Sequence, residues 1–409
     1  MEIYEADLPL ILASRGLGPR LPNEFANLMA EIELEQDLGN KFMRMFFVLQ
    51  SCGMDEFAQE IQYKALEHRN VFRLLKPEKP VIRLLAIVGP GNMVDNVPLD
   101  FVLFNQNVQL DFFYVTDAPD VWERIPDHDV AILGLSESTK NIALLHEIEK
   151  KRENWPRPFL NNSSAIMKCA RDKLADLLIG IPNLIQPQNR RIAYHHVHDE
   201  QLPFLIRPID THAGEGFAKI DDPESLETYL VENKANFYYL SNYIDCSKED
   251  GLFRKFRVAL IDKKPYVCHL AIADNWIVHY IAARMDLSLD KRNEEEKFFQ
   301  EFESVFLKKH GATFSMIAQR VDLDYVILDC AESREGDLVL FEADNAAWIH
   351  DIDSPELYPY KSATMNLAFE AFTQMLQKYV EPHNERAVKS GGLSLIHRSA
   401  QKSKRPALP

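Results

Sequence analysis

The segment Asp324–Asn345, DYVILDCAESREGDLVLFEADN, holds two apolar runs, Tyr325 to Leu328 and Leu338 to Phe341, on either side of a polar stretch that ends in Gly336. This pattern reads as a β-hairpin with a loop. With the turn centred near Glu335, Asp329 lies across the ladder from Glu342. Successive side chains of a strand alternate faces, so Glu342 and Asp344 point the same way. Three carboxylates then converge on one sheet face, where they raise one another's pKa and destabilise the fold unless a cation neutralises them. Hard oxygen donors without a nearby His or thiolate pair favour Mg²⁺ or Mn²⁺, and Mg²⁺ is commonly shared between one or two carboxylates and substrate phosphates. A solvated edge hairpin is the competing reading of this segment taken alone.

Toward the N-terminus, Glu294 to Lys309 places Phe298, Phe302 and Phe306 at helical spacing as core, and Gly311 to Arg320 reads as a helix leading into the hairpin. Before them, Arg254-Lys255-Phe256-Arg257 opens a strand, Phe256 to Ile261, that turns at Asp262-Lys263-Lys264 into Tyr266 to Ile272. Alternation puts Lys255 and Arg257 on one face. A basic pair there needs anionic company, for which phosphate and the acidic surplus of the chain compete equally. His269, Trp276 and His279 follow, and Trp276 to Tyr280 reads as a strand or as the wall of a pocket. A lone His in this setting more often has a structural role.

Pro203 to Pro208 is a short buried strand carrying Arg207. After it come Thr211-His212-Ala213-Gly214-Glu215-Gly216 and a second strand, Phe217 to Ile220. Two glycines between strands make a mobile loop whose backbone N–H groups can cover phosphates. A guanidinium at its mouth matches phosphate oxygens in bidentate fashion. Phe237 to Ile244 is a further strand, and Ser164 to Ile179 reads as one helix carrying Arg171-Asp172-Lys173.

From Val81 short buried strands (Val81 to Val88, Leu110 to Val115, Asp129 to Leu135) alternate with helices (Pro98 to Asn105, Thr139 to Arg152), which implies a mostly parallel sheet of βα units. The turn Gly89-Pro90-Gly91-Asn92 is no dinucleotide fingerprint and reads as plain geometry. Leu21 to Asn70 shows helical periodicity, and the prolines of Pro77 to Pro80 mark a joint. Ala363 to Tyr379 is helical, and Asn384 to Pro409, with few large apolar residues and several Lys and Arg, reads as a disordered basic tail. His195, His196 and His198 resemble a metal cluster, but alternation splits the adjacent pair.

The 409 residues are 46% hydrophobic, enough for two to three domains. Five scattered cysteines without a CxxC pair read as reduced core residues. No apolar run is long enough for a bilayer, and the first residues lack the basic start of a signal peptide, so a cytoplasmic location is expected, with no membrane partner. A net charge of −16 argues against nucleic acid. An anionic ligand must therefore be drawn to a local basic cluster.

Taken in order, the pieces between roughly Ile82 and Gln374 resemble the ATP-grasp superfamily, the carboxylate-amine ligases that include glutathione synthetase and the ligase that adds glutamate to a ribosomal protein. The resemblance rests on the helix with Arg171-Asp172-Lys173 and its end at Gly180-Ile181-Pro182, the strand and glycine loop from Arg207 to Gly216, the strand Tyr239 to Ile244, the strand near Arg257 and the acidic hairpin. It implies an α+β fold with a helical N-terminal region (1–78), a small α/β domain before the ATP-grasp domain (79–162), and an ATP-grasp domain (163–383) whose lid, about 185–245, and larger subdomain clasp ATP. The tail is 384–409.

It further implies ATP and Mg²⁺ (or Mn²⁺) as cofactors, with ATP phosphates on Lys173, Arg207, His212, Gly214 and Gly216. Ser241, Asn242 and Tyr243 would hold adenine, and Asp329, Glu342 and Asp344 or its neighbour Asn345 would hold metal. Arg257 and Arg207 are the candidate catalytic residues. Arg257, Lys255, His269 and His279 are the candidate contacts to a small-molecule or peptide carboxylate and an amine acceptor, in a chain that could be a homodimer. Three positions depart from the family: Arg207 replaces a usual lysine, Asp344 a usual Asn, and Lys255 a frequent Asp. An ATP-binding interaction protein with weak or lost ligase activity, and a phosphotransferase acting on a hydroxyl, are the alternatives.

Overall fold

The computed structural model describes residue 30 and residues 32–211, 214–280 and 282–400, with side chains as far as 381. Asp37 caps helix α1 (Leu38–Ser51) by accepting from the Asn40 N–H at 2.8 Å, and α2 (Asp55–His68) packs beside α1. Strands β1 (Val71–Leu75), β2 (Ile82–Val88), β3 (Val108–Tyr114), β4 (Val130–Leu133) and β5 (Phe159–Leu160) form one sheet in the order β1-β3-β2-β4-β5. All neighbours are parallel except β1, which runs antiparallel to β3. Helices α3 (Leu99–Leu103) and α4 (Ile142–Arg152) are the crossovers that parallel strands require. The joint expected at Pro77 to Pro80 is thus a connection inside this sheet. Strand β1 belongs to the α/β unit because the Arg73–Asp111 ion pair, 2.7 Å, sits at a register pair with β3.

The helix expected over Ser164 to Ile179 is two. Asn162 caps α5 (Ser163–Lys168), and the extended backbone of Ala170 (ψ 139°) separates it from α6 (Arg171–Leu177). Strand β6 (Leu184–Ile185) leads to the region expected to be the lid, whose strands β7 (Arg190–Ala193), β8 (Phe204–Pro208), β9 (Ala218–Ile220) and β10 (Phe237–Ser241) are ordered β7-β10-β8-β9, all antiparallel. Helix α7 (Pro223–Glu232) covers a separate small core with Ile206, Leu226 and Tyr238.

The larger sheet contains β11 (Phe253–Ile261), β12 (Lys264–Ala273), β13 (Tyr325–Glu332) and β14 (Leu338–Asp344), in the order β12-β11-β13-β14-β6. Asp262 and Lys263 join β11 to β12 with φ of 48° and 65°, the two left-handed residues of a tight hairpin turn. The segment Trp276 to Tyr280 is not a strand. Asn275 Oδ1 accepts the Ile277 N–H at 3.1 Å, a local turn that competes with ladder pairing. Helix α8 (Leu289–Glu301) starts on a Ser288 cap and continues through a π-helical turn, Phe302–Leu307, into α9 (Lys308–Val321). Phe298, Phe302 and Phe306 pack there against Phe256 and one another, as their spacing predicts.

Helix α10 (Lys361–Ala400) joins the two sheets: Phe369 and Phe372 share one core with Phe72 and Leu84 of the first and Ala259 and Tyr325 of the second. The segment from Asn384, expected to be disordered, therefore begins as helix. Extending an existing helix needs no new nucleus, and Glu385, Arg386 and Ala387 favour it. Residues 401–409 lie outside the described chain. Among the described residues no helix is long and apolar enough to cross a membrane. The α+β architecture, with a small α/β sheet, an antiparallel lid and a larger sheet bearing the acidic hairpin, agrees with the expected order.

Candidate active site

The hairpin sets the geometry. Asp329 faces Glu342 across the ladder and Asp344 faces Ile327 in unbroken register, the bulge coming only after Asp329, so the three carboxylates share one face as alternation predicts. They border a cavity of about 460 Å³ that reaches from the lid, at Arg207, Gly214 and Phe217, past Ser241 to Tyr243, to the start of α10 at Lys361. Six cationic and four carboxylate side chains line it, a local positive balance in an acidic chain.

Antiparallel pairing of β11 with β13 puts Arg257 beside Asp329. Arg257 Nε and Nη2 donate to the two oxygens of Asp329 at 2.7 and 2.8 Å, Arg257 Nη1 donates to the Trp348 carbonyl at 2.7 Å, and Lys255 Nζ donates to Asp329 Oδ2 at 3.0 Å. Burial alone would raise the Asp329 pKa, but Arg257 and Lys255 hold it well below the carboxylate range. Glu342 Oε2 accepts from Arg171 Nη2 at 2.6 Å. Burial opposes its ionisation, and Arg171 together with Arg207 more than compensates, leaving its pKa lowered. Among the described residues Asp344 has no such ion pair. Burial, then Glu342, pushes its pKa up to about 7, although it accepts the Ala346 N–H at 2.8 Å.

Arg207 is 8% exposed and makes no ion pair among the described residues. Its guanidinium donates to the Thr211 hydroxyl at 3.0 and 3.1 Å and to the Thr211 carbonyl, holding the start of the glycine loop, and lies 5.6 Å from the Phe217 ring centroid. Burial and then the nearby Arg171 pull its pKa down to about 10. Among the described residues no carboxylate is bonded to it, and Glu342 acts on it only through space.

The residues expected to form the site are not all brought together. Lys173 is exposed and its ammonium reaches only the Met167 carbonyl, at 3.4 Å, because residues two apart on a helix do not share a face. Arg171 takes the place in the cavity. It lies three residues before buried Leu174, a spacing that could have revealed it. Asn345 points away, donating to the Leu135 carbonyl at 3.1 Å and tying the hairpin to the α/β sheet. Gly214 (φ 83°) lines the cavity. Gly216 does not, and its φ of 60° and a Pro208 atom 2.7 Å from where a Cβ would stand give it a structural role. His212 lies outside the described residues. Ser241, Asn242 and Tyr243 line the cavity, with the Asn242 side chain accepting the Gln188 N–H at 2.7 Å. His269 and His279 line it too, both held neutral by burial first and neighbouring cations second. Lys255 and Arg257 stand in the cavity wall, but their strongest bonds go to Asp329. Trp276 to Tyr280 line the cavity, the pocket wall that is one reading of this stretch, whereas His350, Asp353 and Lys361, from irregular chain and a helix start with no periodic signal, escape motif reasoning.

Mg²⁺ fits two of the four residues expected to bind it. Asp329 has both oxygens committed to cations, and Asn345 is turned away. Glu342 and Asp344 remain, two buried carboxylates whose mutual repulsion shows in the raised Asp344 pKa. Two carboxylates completed by phosphate oxygens are an ordinary Mg²⁺ donor set. Among the described residues no group of three or more His, Cys, Asp or Glu is placed to hold a metal by itself.

No protein-family model matches the sequence, and no curated protein matches it. Among solved structures, the chain is similar to the D-alanine–D-alanine ligase of Bacillus anthracis complexed with ATP (TM-score 0.46, 12% identity, 75% of this chain and 99% of that one). It is also similar to the VanG D-Ala:D-Ser ligase of Enterococcus faecalis (0.45, 10%, 72% and 99%). A RimK domain ATP-grasp protein of Sphaerobacter thermophilus gives 0.41, 12%, 70% and 98%.

Proposed function

We propose that the cavity binds ATP and that the protein is an ADP-forming ligase, joining a carboxylate to an amine through an acylphosphate. The observation that carries this reading is Arg207, a buried cation with no carboxylate bonded to it among the described residues, set under the loop of Gly214 and beside Arg171. A triphosphate is the anion such a pair accommodates. Ser241 to Tyr243 offer a strand edge and a ring for the base, with Tyr243 5.9 Å from Trp276. Arg207 and Arg171 would hold the phosphate tail, and the loop from Thr211 would exclude water around it. Glu342 and Asp344 would hold Mg²⁺, which when bound neutralises phosphate charge. Positioning and charge neutralisation carry most of a phosphoryl transfer.

The Lys255–Asp329–Arg257 cluster favours a second reading, in which ATP is bound without turnover, because it removes one carboxylate from metal binding. A screen for ADP release over amino acids, other small carboxylates and short peptides, each with amine acceptors, separates the two. ADP with a new amide, seen by mass measurement, supports the ligase. ADP with a stable phosphate ester would make the protein a phosphotransferase, and tight ATP binding with no ADP from any mixture selects the second reading.

A further inference from the structure

The turn that opens the glycine loop reaches out of its own sheet. Thr211 Oγ1 donates to the Pro208 carbonyl at 2.8 Å and accepts from Arg207, so the segment Pro208 to Thr211 and the guanidinium form one hydrogen-bonded unit. Asp210 stands at the tip of this turn with φ 59°, in the left-handed region that aspartate and asparagine visit more readily than other side chains. Its Oδ1 accepts the Thr139 N–H at 2.9 Å. Thr139 lies in the α/β unit, in the loop after β4, where a 3₁₀ turn (Thr139–Asn141) leads into α4.

That terminus has a use for a carboxylate. Ser138 stands at its cap position, but the Ser138 side chain makes no cap bond. A helix N-terminus carries partial positive charge and free N–H groups, and an anion there is stabilising. Asp210 therefore caps, from a different sheet, a helix start that its own segment leaves uncapped. Glu137, two residues before Thr139, faces Asp210 on the turn, Asp172 and Lys173 on α6 and Arg191 on β7, with Cys169 and Tyr239 also near. Burial, then Asp210 and Asp172, raises its pKa to about 7.

We propose that Asp210 is a positioning residue: docked on the helix start at Thr139, it fixes Thr211 and through Thr211 holds Arg207 over the cavity. The consequence for ATP rests on the reading of the cavity as an ATP site, but the latch itself needs no nucleotide. The hold also depends on pH. A neutral Glu137 does not oppose the Asp210 carboxylate; once Glu137 ionises, above about pH 7, the two repel and the latch loosens.

The test is hydrogen exchange at the Thr139 amide of the full chain without nucleotide, measured against its intrinsic rate, together with a titration by ATP and Mg²⁺. Asp210→Gly, which suits the left-handed backbone and removes the carboxylate, should speed that exchange and weaken ATP by about three- to tenfold each, the worth of one hydrogen bond. In an Arg207→Ala background the same change should weaken ATP by less than about twofold, because Asp210 acts through Arg207. In the wild type the protection of Thr139 should fall at least about twofold from about pH 6 to about pH 8, whereas in Glu137→Gln it should stay level. Asp210→Asn, a neutral acceptor, should keep part of the protection and lose its pH dependence. Thr139 exchange that is equally fast in wild type and Asp210→Gly would overturn the proposal, as would the full three- to tenfold loss of ATP affinity in the Arg207→Ala background, about what a structural role would give. A wild-type pH profile that matches Glu137→Gln would overturn the pH dependence. A folded chain that binds no ATP would sink the ATP reading, and exchange at Thr139 would still decide the latch.

Discussion

Arg207 and Arg257 lie in one cavity and are both buried, yet their surroundings are opposite. Arg257 grips both oxygens of Asp329, and that pairing raises its pKa despite burial. Among the described residues Arg207 bonds only to a threonine and faces a ring, and burial, then Arg171, takes its pKa down to about 10. Desolvating a charge is costly unless a counterion repays it, so the first arginine is satisfied by the fold and the second is satisfied only by a ligand. On the proposed function, the residue that looks most catalytic from its strand position is the structural one, and the anion binds under the glycine loop.

Breaking the satisfied end should have the largest effect. Asp329→Asn leaves Arg257 and Lys255 buried beside a neutral amide, and should lower stability by about 3 to 5 kcal/mol in urea or thermal unfolding. A loss under about 1 kcal/mol would show that Asp329 is not the counterion of these cations.

At the other end the effect should move from stability to binding. Arg207→Ala should change unfolding by no more than about 1 kcal/mol while weakening ATP by about 1.5 to 3 kcal/mol, roughly ten- to a hundredfold. Arg207→Lys should recover a good part of the affinity. Equal loss of stability in Arg207→Ala and Asp329→Asn would erase the distinction between the two arginines.

A carboxyl near the lid side sharpens the contrast through pH. Burial first, then Asp210 and Asp172, raise the Glu137 pKa from 4.5 to about 7. The folded state therefore binds a proton that the unfolded chain releases above 4.5. Its contribution is fully present below that pH and is lost as pH rises to about 7. Glu137→Gln should flatten this slope and raise stability above pH 7 by roughly 1 to 3 kcal/mol. An unchanged pH profile of unfolding would place Glu137 in water.

The smallest effect is expected at Lys173, where ATP affinity in Lys173→Ala should stay within about twofold of wild type because the ammonium is exposed. Arg171→Met should weaken ATP much more. The reverse order would restore the assignment that the resemblance implies.

How far these features could be read in advance depends on their range in sequence. The Asp329–Glu342 register was legible because alternation and Gly336 are local signals. The βα units and the Phe298, Phe302 and Phe306 core were legible for the same reason. The pairing of Lys255 and Arg257 with Asp329 was not, since it depends on β11 lying next to β13, more than seventy residues on. The break at Ala170 hid Arg171 behind Lys173, as no proline or glycine marks it. His350 and Asp353 lie in irregular chain, where spacing says nothing about what meets in space.

The most direct test is calorimetric titration of the intact chain with ATP and Mg²⁺, on wild type and Arg207→Ala. One ATP should bind per chain with an affinity that falls ten- to a hundredfold, or about 1.5 to 3 kcal/mol, in the variant. A folded wild-type chain that shows no heat of binding at about 1 mM ATP, the upper end of ordinary enzyme KM values, would contradict the account, as would a variant that binds ATP equally well.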